Sequence, residues 1–140
     1  MARKYFTNSV IFIFLFFVTR HITAIGQTLN KSQKENVIQN IYRVPGGEEQ
    51  NKKIWIVDGL IIRRNIFKEF LYGGNNERYP WIPKNEIWID NAISAEEFKY
   101  TLAHELNERN LMAKKGMSYA EAHDSSLALD QIARWEIKIK

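Results

Sequence analysis

The chain has 140 residues and no cysteine. That absence excludes disulfides and a lipid-anchored cysteine near the N-terminus. No segment repeats at a fixed period, which excludes solenoid and propeller arrays. Long apolar runs are also missing. The longest is the nine residues from Val10 to Val18, far short of the roughly 20 that cross a bilayer as a helix. A surplus of positive charge is largely absent as well, although the formal net charge is +4. Arg3, Lys4 and Arg20 lie in the first 26 residues with no acid among them, leaving 17 basic against 16 acidic residues beyond. A near-neutral remainder gives no electrostatic footprint for nucleic acid.

What the N-terminus does hold is a short basic start, Met1-Ala2-Arg3-Lys4, the apolar run, and small residues at Ala24-Ile25-Gly26. That order is the order of a secretory signal peptide over residues 1–26. An uncleaved anchor from Val10 to Ile25 is the alternative, and Arg20 and His21 in that stretch count against it. The expectation is a secreted or periplasmic protein with no stable membrane insertion after cleavage.

Residues 27–52 are polar and include Pro45-Gly46-Gly47. They read as a tether or loose lead-in, with Val37, Ile38, Ile41 and Tyr42 hinting at one short element. The main domain is then 53–140, and its pattern predicts an α+β fold. Ile54-Trp55-Ile56-Val57 and Leu60-Ile61-Ile62-Arg63 flank Asp58-Gly59, the composition of a two-residue β-hairpin over 53–64. Phe67 to Tyr72 fits a short helix or a third extended piece. Gly73 to Asn85 reads as a long loop in which Tyr79 and Trp81 plug the end of the core or wall a substrate site. Glu86 to Asp90 alternates as a strand, with Ile87 and Ile89 on one face and Trp88 on the other. Ser94 with Glu97, and Ser118 with Glu121, are capping boxes, and Gly116 is a stop signal. They predict an antiparallel helix pair over 95–115 and 119–134, packed on a small antiparallel or mixed sheet.

The chemistry concentrates on that pair. His104 and Glu108 are four apart and project from one helical face, with Glu105 about 100° round from His104. They lie away from the polar stripe of Lys99, Asn107, Asn110 and Lys114, beside Tyr100, Thr101, Leu111 and Met112. Charged groups in such surroundings need partners. His123 lies on the second helix. At about 1.5 Å per residue, Glu108 and His123 stand roughly 10 and 6 Å from the connecting turn, and Asp130 comes level with His104. His104, Glu108 and His123 thus form a candidate metal-ligand set of two imidazoles and one carboxylate. Asp130 is placed either to hydrogen-bond the distal nitrogen of His104 or to act as a fourth ligand. Taken singly, each residue has a plainer reading. His104 and Glu108 fit a helical ion pair, His123 a hydrogen-bonded core histidine, and Glu105 a solvated carboxylate.

A strand at Glu86 to Asp90, a linker, a helix carrying His104-Glu105-x-x-Glu108 and a second helix carrying His123 together resemble a minimal zincin metallopeptidase core. The stretch from Trp81 to Arg134 also resembles small bacterial and phage proteins with the H-E-L-x-E-R and Y-x-x-A-H pattern. The sequence departs from the zincin motif at Glu108, where the familiar helix has a second histidine. The resemblance implies zinc, with iron or manganese also admitted by a glutamate ligand. It further implies Glu105 as the general base toward a peptide or protein substrate, a free edge on strand 86–90 to receive that substrate, and Tyr79 or Tyr100 steadying the oxyanion. A reading from another class is a non-catalytic exported binding domain in which the same cluster staples two helices.

Overall fold

The computed structural model describes residues 28–138, so the signal-peptide reading lies outside the described residues. From Lys31 onward the chain forms one compact unit. It is α+β, as the patterning predicts: a four-stranded mixed sheet with helices on it. In chain order the elements are α1 (Lys31–Asn40), β1 (Arg43–Glu49), β2 (Lys52–Val57), α2 (Gly59–Asn65), β3 (Gly73–Asn75), β4 (Glu86–Asp90), α3 (Ala95–Lys115) and α4 (Tyr119–Lys138). The sheet order is β1-β2-β4-β3. β1 runs antiparallel to β2, β2 parallel to β4, and β3 antiparallel to β4. No helix among the described residues is long and apolar enough to cross a membrane.

The hairpin expected over 53–64 does not form. Asp58 has φ −74° and ψ 90°, and its carboxylate accepts the Ile61 backbone N–H, so it caps the start of α2. A tight hairpin turn of the expected type needs positive φ at both central residues, and neither Asp58 nor Gly59 has it. That turn occurs one strand earlier, at Gln50 and Asn51, with φ of 50° and 59°. It pairs Glu49 with Lys52. The segment read as a tether therefore contributes α1 and an edge strand. The run Leu60 to Arg63 becomes a helical turn that buries Ile62.

The alternation read in β4 is observed, and it builds a core on each face of the sheet. Ile87 and Ile89 pack with Ile54 and with Leu102 and Leu106 of α3. Trp88 faces the other way, into a cluster with Val57, Ile62, Phe70, Tyr79 and Ile82. There the rings of Phe70, Tyr79, Trp81 and Trp88 follow one another at centroid separations of 5.2 to 5.9 Å. Each such pair contributes roughly 0.5–1.5 kcal/mol beyond simple burial. Tyr79 is thus a core residue first, with half-buried Trp81 packed against the same cluster.

Both helix starts obey their caps. Ser94 Oγ accepts the Glu97 N–H at 3.1 Å, and Gly116 ends α3 in the left-handed region at φ 66°. At α4 the box is reciprocal: Ser118 N donates to Glu121 at 2.9 Å, and Glu121 N donates to Ser118 Oγ. The short link between them forces an antiparallel pair. Contacts between Glu108 and His123, Asn107 and Ser126, His104 and Asp130, and Glu97 and Arg134 run in opposite senses along the two helices.

Candidate metal centre

α3 presents His104 and Glu108 to α4, and α4 presents His123 back to them. One ligand atom from each lies within 4.8 Å of the other two. His104 Nε2 and His123 Nδ1 are 3.1 Å apart, His123 Nδ1 and Glu108 Oε2 3.1 Å, and His104 Nε2 and Glu108 Oε2 3.6 Å. A tetrahedral zinc with bonds of about 2.0–2.1 Å holds its donors roughly 3.3 Å apart. The triangle has the dimensions of one face of such a tetrahedron, and the three residues could hold a metal ion.

Asp130 occupies the outer position. Its Oδ2 lies 3.0 Å from His104 Nδ1, and a carboxylate only accepts, so that nitrogen carries the proton. Nε2 faces Glu108 and His123: without metal its proton lies toward the Glu108 carboxylate, and a metal replacing that proton would take its lone pair. A carboxylate behind a ligating imidazole fixes its tautomer and orientation. Asp130→Asn is accordingly expected to weaken zinc binding by about 10–100-fold with the helices intact. Competition against a chromophoric chelator, with circular dichroism as the control, measures both.

Glu108 and its neighbour Glu105 complete the interior. Glu108 is 2 % and Glu105 8 % exposed. The side-chain amide of Asn75 donates to both, at 2.8 Å to Glu108 and 2.9 Å to Glu105. Burial and the Glu108 charge push the Glu105 carboxyl up to about 8, against the pull of the Asn75 hydrogen bond and His104. Burial also acts to raise Glu108, but hydrogen bonds from His104, Asn75 and His123 outweigh it and hold that carboxyl below its ordinary value. Of the two neighbours, Glu108 is thus favoured in its charged form and Glu105 in its protonated one. His104 is raised: burial opposes its charging, but Glu108, Glu105 and Asp130 more than offset it. Among the described residues, no lysine or arginine forms an ion pair with either glutamate. Buried carboxylates in that position favour a cation.

Asn75 was not legible in the sequence, where it sat inside a loop. It belongs to β3, which passes close under α3 because Gly73 has no side chain. A Cβ there would meet Thr101 at 3.0 Å and Glu105 at 3.1 Å. Asn75 is fully buried, and its Oδ1 accepts the backbone N–H groups of Glu77 and Arg78. The Gly-Gly before it was the available signal, since adjacent glycines in an apolar context mark a close backbone approach.

The cluster opens into a cavity of about 420 Å³. Glu105, Tyr79, Tyr119, Arg78 and Arg134 line it beside His104, Glu108 and His123. Tyr100 does not line it and lies under the Arg134 guanidinium at 4.1 Å, with Arg134 bound to Glu97. Of the two tyrosines expected to face a reacting carbonyl, the cavity therefore contains Tyr79. Burial, chiefly, pushes its hydroxyl up to about 12, so it stays a donor. Tyr119, unforeseen, stacks on His123 with centroids 5.4 Å apart. The free edge expected on strand 86–90 is absent, because β4 is paired on both sides. The strand bordering the cavity is β3.

No family model matches the chain, and no curated protein or solved structure matches it.

Proposed function

We propose that this chain is a metal-dependent hydrolase of the zincin kind, acting on peptides. One observation carries the reading: three ligand atoms of the right chemistry converge within 4.8 Å on a cavity wall that also carries a buried carboxyl held by Asn75. Two imidazoles and one carboxylate suit zinc first, and iron or manganese next. A divalent ion held there supplies Lewis-acid activation of water and of the substrate carbonyl.

The chain's own residues supply the rest. Glu105 in its carboxylate form, which a neighbouring cation favours, takes a proton from water as the water oxygen bonds to the carbonyl carbon. It returns that proton to the leaving nitrogen as the C–N bond breaks. Tyr79 and Tyr119 are the hydroxyls in reach of the cavity for a developing oxyanion. With β4 enclosed, an extended substrate backbone lies along β3. Asp130 keeps the His104 lone pair turned inward.

The same hydrogen bonds tie α3 to α4, which favours a second reading of the cluster as a purely structural staple. Hydrolysis separates the two. Zinc-loaded protein is expected to cleave unstructured peptides, to lose that activity on chelation, and to regain it when zinc is restored. Protein that binds zinc stoichiometrically but cleaves no member of a mixed peptide library supports the staple.

A further inference from the structure

Three of the six arginines among the described residues pair with an acid, Arg43 with Glu86, Arg63 with Asp90 and Arg134 with Glu97, and Arg109 donates to Asn76 and the Lys84 carbonyl. Arg78 is placed differently. It lines the metal-centre cavity and, among the described residues, forms no ion pair. Its guanidinium lies over Tyr119 at 4.1 Å and near the rings of Tyr79 and Phe67 at 5.5 and 5.7 Å. Its Nε–H is buried without a protein acceptor. A buried guanidinium donor without an acceptor carries a desolvation cost, and because the residue lines the cavity, a ligand carboxylate pairing with its outer N–H groups offsets part of it. Stacked on rings and interacting with the Tyr119 hydroxyl, the planar guanidinium is held in one orientation at the cavity wall, and edge-on pairing with a carboxylate is the geometry in which arginine is most selective.

Position agrees with chemistry. Tyr119 also stacks on His123, so the guanidinium is no further from that imidazole than two ring contacts. Asn75 holds the Arg78 backbone N–H through the side chain that holds Glu105 and Glu108, which fixes Arg78 against the ligand cluster. Around the mouth stand Leu71, Tyr72 and Leu127, all substantially exposed. Tyr72 is held at φ 61°, a conformation uncommon for a bulky residue and typical of functional positions.

We infer that Arg78 is a receptor for the free C-terminal carboxylate of a peptide, making the cavity selective for chain ends carrying apolar residues. The inference rests on the peptide-hydrolase reading for its biological sense, but binding tests it separately. The whole chain, free of metal so that no ion competes for the carboxylate, is titrated by NMR with N-acetyl-Leu-Leu and with its C-terminal amide. The acid is expected to bind at least about tenfold more tightly, the range of a charge-assisted bidentate contact. That preference disappears in Arg78→Gln and survives in part in Arg78→Lys, with zinc stoichiometry unchanged in both. Equal affinity for acid and amide, no binding of either, or a preference that persists in Arg78→Gln overturns it and leaves Arg78 a structural clamp. Acid preference without cleavage by the zinc form refutes the hydrolase and keeps the receptor. Equal cleavage of acid and amide peptides does the reverse.

Discussion

Glu105→Gln is expected to lower kcat for peptide hydrolysis by about 10²- to 10⁴-fold, the usual share of a positioned general base, while zinc stays bound. The substitution is nearly isosteric and keeps an oxygen to accept from Asn75 Nδ2. It replaces a carboxyl whose charged form burial and Glu108 already disfavour, so the fold should not suffer. Metal content and thermal midpoint are the controls beside the rate. Retained activity would move the base elsewhere, and loss of metal would make Glu105 a ligand.

The second large effect concerns the ligands themselves. His123→Ala and Glu108→Ala should each weaken zinc binding beyond the roughly 10–100-fold expected when an outer carboxylate such as Asp130 is altered. The two differ in structural cost. Glu108 is buried and joins His123, Asn75 and the neighbourhood of His104. Its loss strands buried donors, at about 1–3 kcal/mol. The His123 side chain is 36 % exposed, so His123→Ala should lower the melting temperature of the metal-free protein less than Glu108→Ala does, by the loss of one hydrogen bond to Glu108. It is the cleaner variant. Isothermal titration with zinc measures both affinities, and wild-type affinity in His123→Ala removes that residue from the site.

The convergence of His104, Glu108 and His123 was legible because its geometry is local. An i,i+4 pair, two serine caps and one glycine stop determine which residues of two helices stand level, and the observed contacts of Glu108 with His123 and His104 with Asp130 follow. What was not legible depended on which of two local rules prevails. Asp58-Gly59 suits a hairpin turn and Asp58 equally suits a helix cap. The cap prevails because β2 finds its antiparallel partner in β1 and a parallel one in β4. That choice encloses β4 and removes the edge expected there. Asn75 and Arg78 were hidden for another reason. Their roles come from the approach of β3 to α3 and from a cavity wall assembled from separate elements, and neither has a periodicity to read.

The central claim is that His104, Glu108 and His123 hold one divalent ion. The direct measurement is thermal unfolding of the whole purified chain with and without zinc, paired with metal stoichiometry. At free zinc about 100-fold above Kd, one ion per chain stabilises the fold by about 2.7 kcal/mol, a rise of about 10 °C in Tm for a domain of this size. A chain that binds no zinc and melts at the same temperature in its presence contradicts the claim.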